Sequence, residues 1–135
     1  MTYALDTNII VHYLRKEAGV IRNFRDAVVR GDDILVPKVV NYELCRGFRF
    51  RPAPGKESSY KILIEQCGII PMDDASWIRA EHICVELYRK RFTVGEMDIL
   101  IAAQCAAHSY TLVTNNTKDF EKIDGLRLED WTTHG

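Results

Sequence analysis

A chain of 135 residues, 47% hydrophobic and 27% charged, has ordinary globular composition, which excludes the disordered, collagenous and fibrous classes. Its length suits one domain spanning residues 1–135, large enough to bury roughly two thirds of the surface that its unfolded chain exposes. A net charge of −1 excludes attraction of the chain as a whole to nucleic acid, so any such contact must be local.

Short β-rich runs alternate with helical ones. The first strand is expected over residues 3–5, ended by Asp6, and a helix over residues 9–15 follows. A second helix over 20–30 stops at the turn pair Gly31-Asp32, ahead of a strand over 33–36 and a helix over 38–48. Pro52, Ala53, Pro54 and Gly55 form a loop too short to link two domains, and a helix over 57–66 comes next. A strand over 68–71 precedes helices over 75–91 and 96–108, and strands over 110–114 and 126–128 end the pattern. Alternation of this kind predicts a parallel sheet with helices on both faces, an α/β sandwich whose ligand crevice lies at the carboxyl ends of the strands.

The longest apolar stretch, Ile99 to Ala107, is far short of a membrane span and contains Gln104. The amino terminus reaches Asp6 before a signal-peptide core can form, so a soluble, cytoplasmic protein is expected. Cys45, Cys67, Cys84 and Cys105 contain no CxxC pair and read as reduced core thiols. His12, His82, His108 and His134 read as surface or half-buried side chains, because they lack the spacing that zinc requires.

Four acids stand where strands or helices should bring them to one place: Asp6, Glu43, Asp98 and Asp119. Each has a structural reading as well. Asp6 can cap the helix that starts at Asn8, although Thr7 and Asn8 can do the same. Glu43 lies in the early turns of its helix, where a carboxylate favours the helix dipole. Asp119, in TNNTKDF, can belong to an Asx-type turn. Asp98 has no such account, because its helix is apolar almost all the way round and its start already carries Thr93 and Glu96 at capping-box spacing.

Jointly the four make a stronger case. Two carboxylates about 4 Å apart repel by about 4 kcal/mol at an effective dielectric near 20, so a cluster of them needs a counter-charge. No Lys or Arg adjoins Asp6, Glu43 or Asp98 in sequence, and only Lys118 adjoins Asp119. Oxygen-only ligation selects magnesium or manganese. A divalent ion held at a sheet edge favours phosphodiester hydrolysis by water. The chain contains no GxSxG elbow, no Walker glycine loop and no Cys/His pair for a covalent nucleophile.

The segment RGFRFRPAPGK concentrates Arg46, Arg49, Arg51 and Lys56 around Phe48 and Phe50. It reads equally as an RNA-binding surface and as a solvated helix end with both Phe packed on the core.

LDTNIIVHYL, VVNYELCRG, MDILIAAQC and LVTNNTKDF, in that order, resemble the four motifs of PIN-domain nucleases, in particular the VapC toxins of type II toxin-antitoxin pairs; the ending GLRLEDW is similar to that branch too. The resemblance implies that Asp6, Glu43, Asp98 and Asp119 ligate Mg2+ or Mn2+, with Asn8 and Thr114 near the site. It implies a three-layer sandwich on a five-stranded parallel sheet whose first and fourth strands adjoin. It further implies a homodimer, endoribonuclease activity on RNA, and blockade by a VapB-like antitoxin, with the RGFRFRPAPG loop bordering the RNA groove. Glu96 stays open between ligand and cap. Two other readings compete: a phosphorylation-switched receiver using Asp73-Asp74, Thr114 and Lys118, and a PIN domain that binds RNA or a partner without cutting.

Overall fold

The computed structural model describes residues 1–132. Five parallel strands, β1 (Thr2–Leu5), β2 (Asp33–Pro37), β3 (Ile69–Ile70), β4 (Thr111–Val113) and β5 (Arg127–Glu129), lie in the order β3-β2-β1-β4-β5. The described helices are α1 (Thr7–Leu14), α2 (Ala18–Arg30), α3 (Lys38–Phe50), α4 (Pro54–Cys67), α5 (Asp74–Lys90), α6 (Glu96–His108) and α7 (Thr117–Phe120). The strand order winds outward from β1 to β3 and then resumes on the other side of β1. Right-handed crossovers in two opposite directions put helices on both faces, giving the expected three-layer α/β sandwich.

Residues 3–5 of β1 and all of β4 are buried, as continuous apolar strands covered on both faces must be. In register, Leu5 stands opposite Val113, so the two strand exits emerge side by side. The edges are blunted by brevity, since β3 has two residues and β5 three. The chain end is fastened by Trp131, buried edge-on against Tyr3 at 5.2 Å, and the Trp131 carbonyl accepts a hydrogen bond from Asn23 Nδ2 at 3.3 Å.

Several expectations are corrected. The Thr93–Glu96 capping box does not form: α6 is capped by Gly95 without any side-chain hydrogen bond, because Glu96 is the first helical residue and Thr93 lies two residues too early to reach the first-turn amides. Helix α4 begins at Pro54 rather than Glu57, since a proline in the first turn has no amide to satisfy. A short helix, α7, follows the TNN turn and is anchored by buried Phe120. Of the cysteines only Cys105 is a core thiol; Cys67 is partly buried, and Cys45 and Cys84 are exposed on outward positions of α3 and α5. His12 and His108 are half-buried and His82 is exposed; His134 lies outside the described residues. Phe48 packs towards the core beside Tyr60, with ring centroids 6.1 Å apart, whereas Phe50 is 81% exposed.

Helix α6 buries Ile99, Ile101, Ala102, Ala103, Gln104 and Cys105. Gln104 is the polar exception. Its amide Nε2 donates to the carbonyls of Ile70 and Pro71, both at 2.7 Å, tying the exit of β3 to the central helix. Gln104→Leu keeps the volume but removes the donor for both carbonyls. Urea unfolding is expected to show a loss of about 1–3 kcal/mol; unchanged stability would mean that neighbouring groups or water replace the amide.

Candidate active site

The site begins where β1 stops. The Asp6 amide donates to the Val113 carbonyl at 2.9 Å, the last ladder bond between the two central strands, and the chain then turns into α1 with Asp6 as its cap. The Asp6 side chain is only 4% exposed. Its Oδ1 accepts from the Thr7 amide at 2.8 Å, and its Oδ2 accepts from Thr114 Oγ1 at 2.8 Å and from Asn8 Nδ2 at 3.1 Å. Burial raises its pKa, and the bonds from Thr114, Thr7 and Asn8 pull it back. A cap needs one oxygen; here both are engaged.

Asn8 and Thr114 knit the two strand exits together. Asn8 Oδ1 accepts from the Asn115 amide at 3.1 Å, and Thr114 Oγ1 accepts from the Asn116 amide at 3.0 Å. Asn115 Nδ2 lies 3.2 Å from His12 Nε2, one turn along α1 from Asn8. Both residues expected near the site are therefore in contact with it.

Glu43 arrives from α3. Its Oε1 accepts from Thr7 Oγ1 at 3.0 Å, so Thr7 joins Asp6 through its amide and Glu43 through its hydroxyl. Burial, and then repulsion from Asp6, raise the Glu43 pKa against the Thr7 hydrogen bond and the positive charge of Arg46. Thr7 counted in the sequence only as a spare cap; its position between Asp6 and Asn8 was the available signal. Arg46, three residues from Glu43, is the cation that adjacency in sequence did not reveal.

Asp98 occupies the first turn of α6 and is partly buried. Its carboxylate makes no hydrogen bond or ion pair with the described residues. Burial, followed by repulsion from Asp6, Glu43 and Asp119, pushes its pKa up to about 6. These repulsions place Asp6, Glu43 and Asp119 within electrostatic reach of Asp98.

Asp119, on α7, is partly buried and better compensated. Its Oδ2 accepts from Asn116 Nδ2 at 3.3 Å and its Oδ1 from Lys122 Nζ at 3.4 Å. Lys122, not the adjacent Lys118, is its cation. Glu96 is exposed and makes none of these bonds. Arg49, Arg51 and Lys56 are exposed, and of the four basic candidates Arg46 alone bears on an acid. Among the described residues, no three histidine, cysteine or acidic side chains are drawn together tightly enough to enclose an ion by their own geometry.

Asp73 is committed elsewhere. It caps α5 through bonds from the Ser76 amide at 3.0 Å and the Ser76 hydroxyl at 2.6 Å, and its Oδ2 lies 2.8 Å from His108 Nε2. The Ser76 hydroxyl, then His108, hold its pKa down to about 2. His108 ends the helix whose first turn holds Asp98, ten residues and about 15 Å along the axis away. The acid after β3 is thus remote from the other acids, and the receiver arrangement is absent.

The PIN domain family model matches residues 3–126. Ribonuclease VapC2 of Rickettsia felis is 31% identical over 132 residues, covering 97% of this chain and 98% of that protein. The tRNA(fMet)-specific endonuclease VapC of Shigella flexneri is 28% identical over 133 residues, covering 98% and 99%. Among solved structures, VapBC2 from Rickettsia felis bound to a DNA fragment from their promoter superposes with a TM-score of 0.90 at 30% identity, covering 97% of this chain and 99% of that one. DNA-bound VapBC from Salmonella typhimurium superposes with a TM-score of 0.87 at 27% identity, covering 97% and 98%. With the motif acids at the exits of β1 and β4 and on the helices facing them, and with a fold and sequence shared along nearly its whole length, the chain belongs to the PIN-domain family, in its VapC ribonuclease branch.

Proposed function

We propose that this chain is a divalent-metal-dependent endoribonuclease that hydrolyses RNA phosphodiester bonds, the toxin of a type II pair restrained by a VapB-like antitoxin. One observation carries the reading: the Asp98 carboxylate has no hydrogen-bond or ion-pair partner among the described residues and is repelled by three other acids. At neutral pH such a partly buried, mutually repelled carboxylate costs stability unless a counter-charge relieves it, which favours a bound cation. The donor set of Asp6, Glu43, Asp98 and Asp119 is all carboxylate oxygen, which fits a hard cation, Mg2+ or Mn2+. Such an ion, when bound, neutralises phosphate charge and lowers the pKa of water.

The chain's own residues supply the rest. Thr114, Asn8 and the Thr7 amide hold the Asp6 carboxylate in one orientation, and the Thr7 hydroxyl holds Glu43. Asp119 is positioned by Asn116 and Lys122. The sequence carries no GxSxG elbow or Cys/His pair for a covalent nucleophile, which favours water as the attacking group. The relatives named above carry ribonuclease and endonuclease names, and the solved VapBC complexes support an antitoxin partner. A single nuclease domain acting as a cytoplasmic homodimer is the state we expect.

Incubation of the purified protein with a mixed RNA pool that includes tRNA is expected to give cleavage with Mg2+ or Mn2+ and none in EDTA. Asp98→Asn should reduce that cleavage by more than the ~100-fold that a supporting residue costs. Full activity in EDTA, or in the Asn variant, would refute the metal role.

The same carboxyl predicts a pH signature. Its folded pKa, about 6, lies above the ordinary 3.8, so its protonated form favours the fold. That contribution is complete below about pH 4 and is lost as pH rises through about 6. In EDTA near pH 7, Asp98→Asn should therefore melt higher than wild type, by about 1–2 kcal/mol after allowance for partial exposure. The gap should close near pH 4 and narrow when Mg2+ is added at neutral pH. A gap independent of pH would assign the effect to packing.

A further inference from the structure

Helix α3 carries more than Glu43. At 100° per residue, Tyr42, Arg46, Arg49 and Phe50 fall on one outward face, with Glu43 at its border, while Val40, Leu44 and Phe48 face the core. The outward face is rich in apolar surface: Tyr42 is 51% exposed and Phe50 is 81% exposed. Arg46 sits over the Tyr42 ring, its guanidinium carbon 5.1 Å from the centroid, so cation and ring are held as a stacked pair beside the acids.

Resting on the ribonuclease reading above, we infer that this face of α3 is a stacking track that grips unpaired RNA bases next to the cleavage site. Three features select RNA as the occupant. Two exposed rings flank two arginines, a combination that binds single strands by stacking bases and neutralising phosphates. The chain as a whole carries a net charge of −1, so the basic charge here is local. The track is also continuous with the acid cluster, because Tyr42 precedes Glu43 and Arg46 acts on the Glu43 carboxylate. From Tyr42 to Phe50 the helix rises about 12 Å, a reach suited to more than one base. Phe48 takes no part, and Arg51 and Lys56 lie off this face, at the end of α3 and on α4.

The test uses full-length protein in EDTA, where hydrolysis is blocked and base binding is read alone. Fluorescence anisotropy follows an oligoadenylate of about twelve nucleotides and an abasic backbone of equal length. Tyr42→Ala and Phe50→Ala should each weaken oligoadenylate binding by about 5- to 100-fold and leave abasic binding unchanged; Tyr42→Phe should bind like wild type. Arg46→Ala should weaken both ligands and flatten the salt dependence by about one charge. Thermal melting and light scattering on the same samples report folding and assembly. The inference is overturned if wild type does not bind oligoadenylate, if the alanine variants bind it normally, or if they change oligomeric state while RNA binding persists, which would make the face a protein interface. Metal-dependent cleavage of the RNA pool by wild type is scored separately, so loss of the track leaves the nuclease reading standing, and loss of cleavage is seen independently.

Discussion

The pairing of β1 with β4 places Leu5 opposite Val113, and everything at the site depends on those two exits being adjacent. Residues more than a hundred positions apart in sequence then meet within hydrogen-bond distance, as Thr114 Oγ1 and Asp6 Oδ2 do at 2.8 Å. A slip of one residue would turn Asp6 to the other side of the sheet and separate it from Thr114 and Asn8. The reversal in strand order beside β1 is what opens a crevice there at all. Helices α3, α6 and α7 need only deliver one carboxylate each.

The site is held together by two opposed kinds of force. Around Asp6, neutral donors from Thr7, Asn8 and Thr114 satisfy a buried acid without neutralising it. Asp98 accepts no hydrogen bond from the described residues and is subject instead to burial and like charge. Scaffolding that stiffens one acid and leaves another unsatisfied creates a standing demand for positive charge at one end of the sheet. Lys122 at Asp119 and Arg46 near Glu43 meet the demand only at the rim. The fold tolerates the strain because its core is elsewhere, in the apolar strands and the buried length of α6.

Much of this was legible in the chain. The apolar runs located all five strands, and the alternation with helices gave the parallel sheet. The four acids stood out because Asp98 interrupts an otherwise apolar helix with no local reason. What failed was detail that depends on three dimensions. The Thr93–Glu96 spacing fitted a capping box, yet the helix starts at Glu96 and leaves Thr93 behind. Lys122 rather than Lys118 reaches Asp119, because one helical turn brings side chains together where sequence adjacency does not. Thr7 looked redundant until α3 brought Glu43 to its hydroxyl. The two phenylalanines of the basic segment looked alike, but helical phase sends Phe48 inward and Phe50 outward.

The central claim is that a cation takes over the charge that Asp98 cannot otherwise hold, and proton release on Mn2+ binding tests it most directly. Calorimetric titration in buffers of different ionisation enthalpy counts those protons. With an Asp98 pKa of about 6, binding at that pH should expel a substantial fraction of a proton, fading to none near pH 8 and absent in Asp98→Asn. Mn2+ binding with no proton release near pH 6, or with equal affinity in the Asn variant, would contradict it.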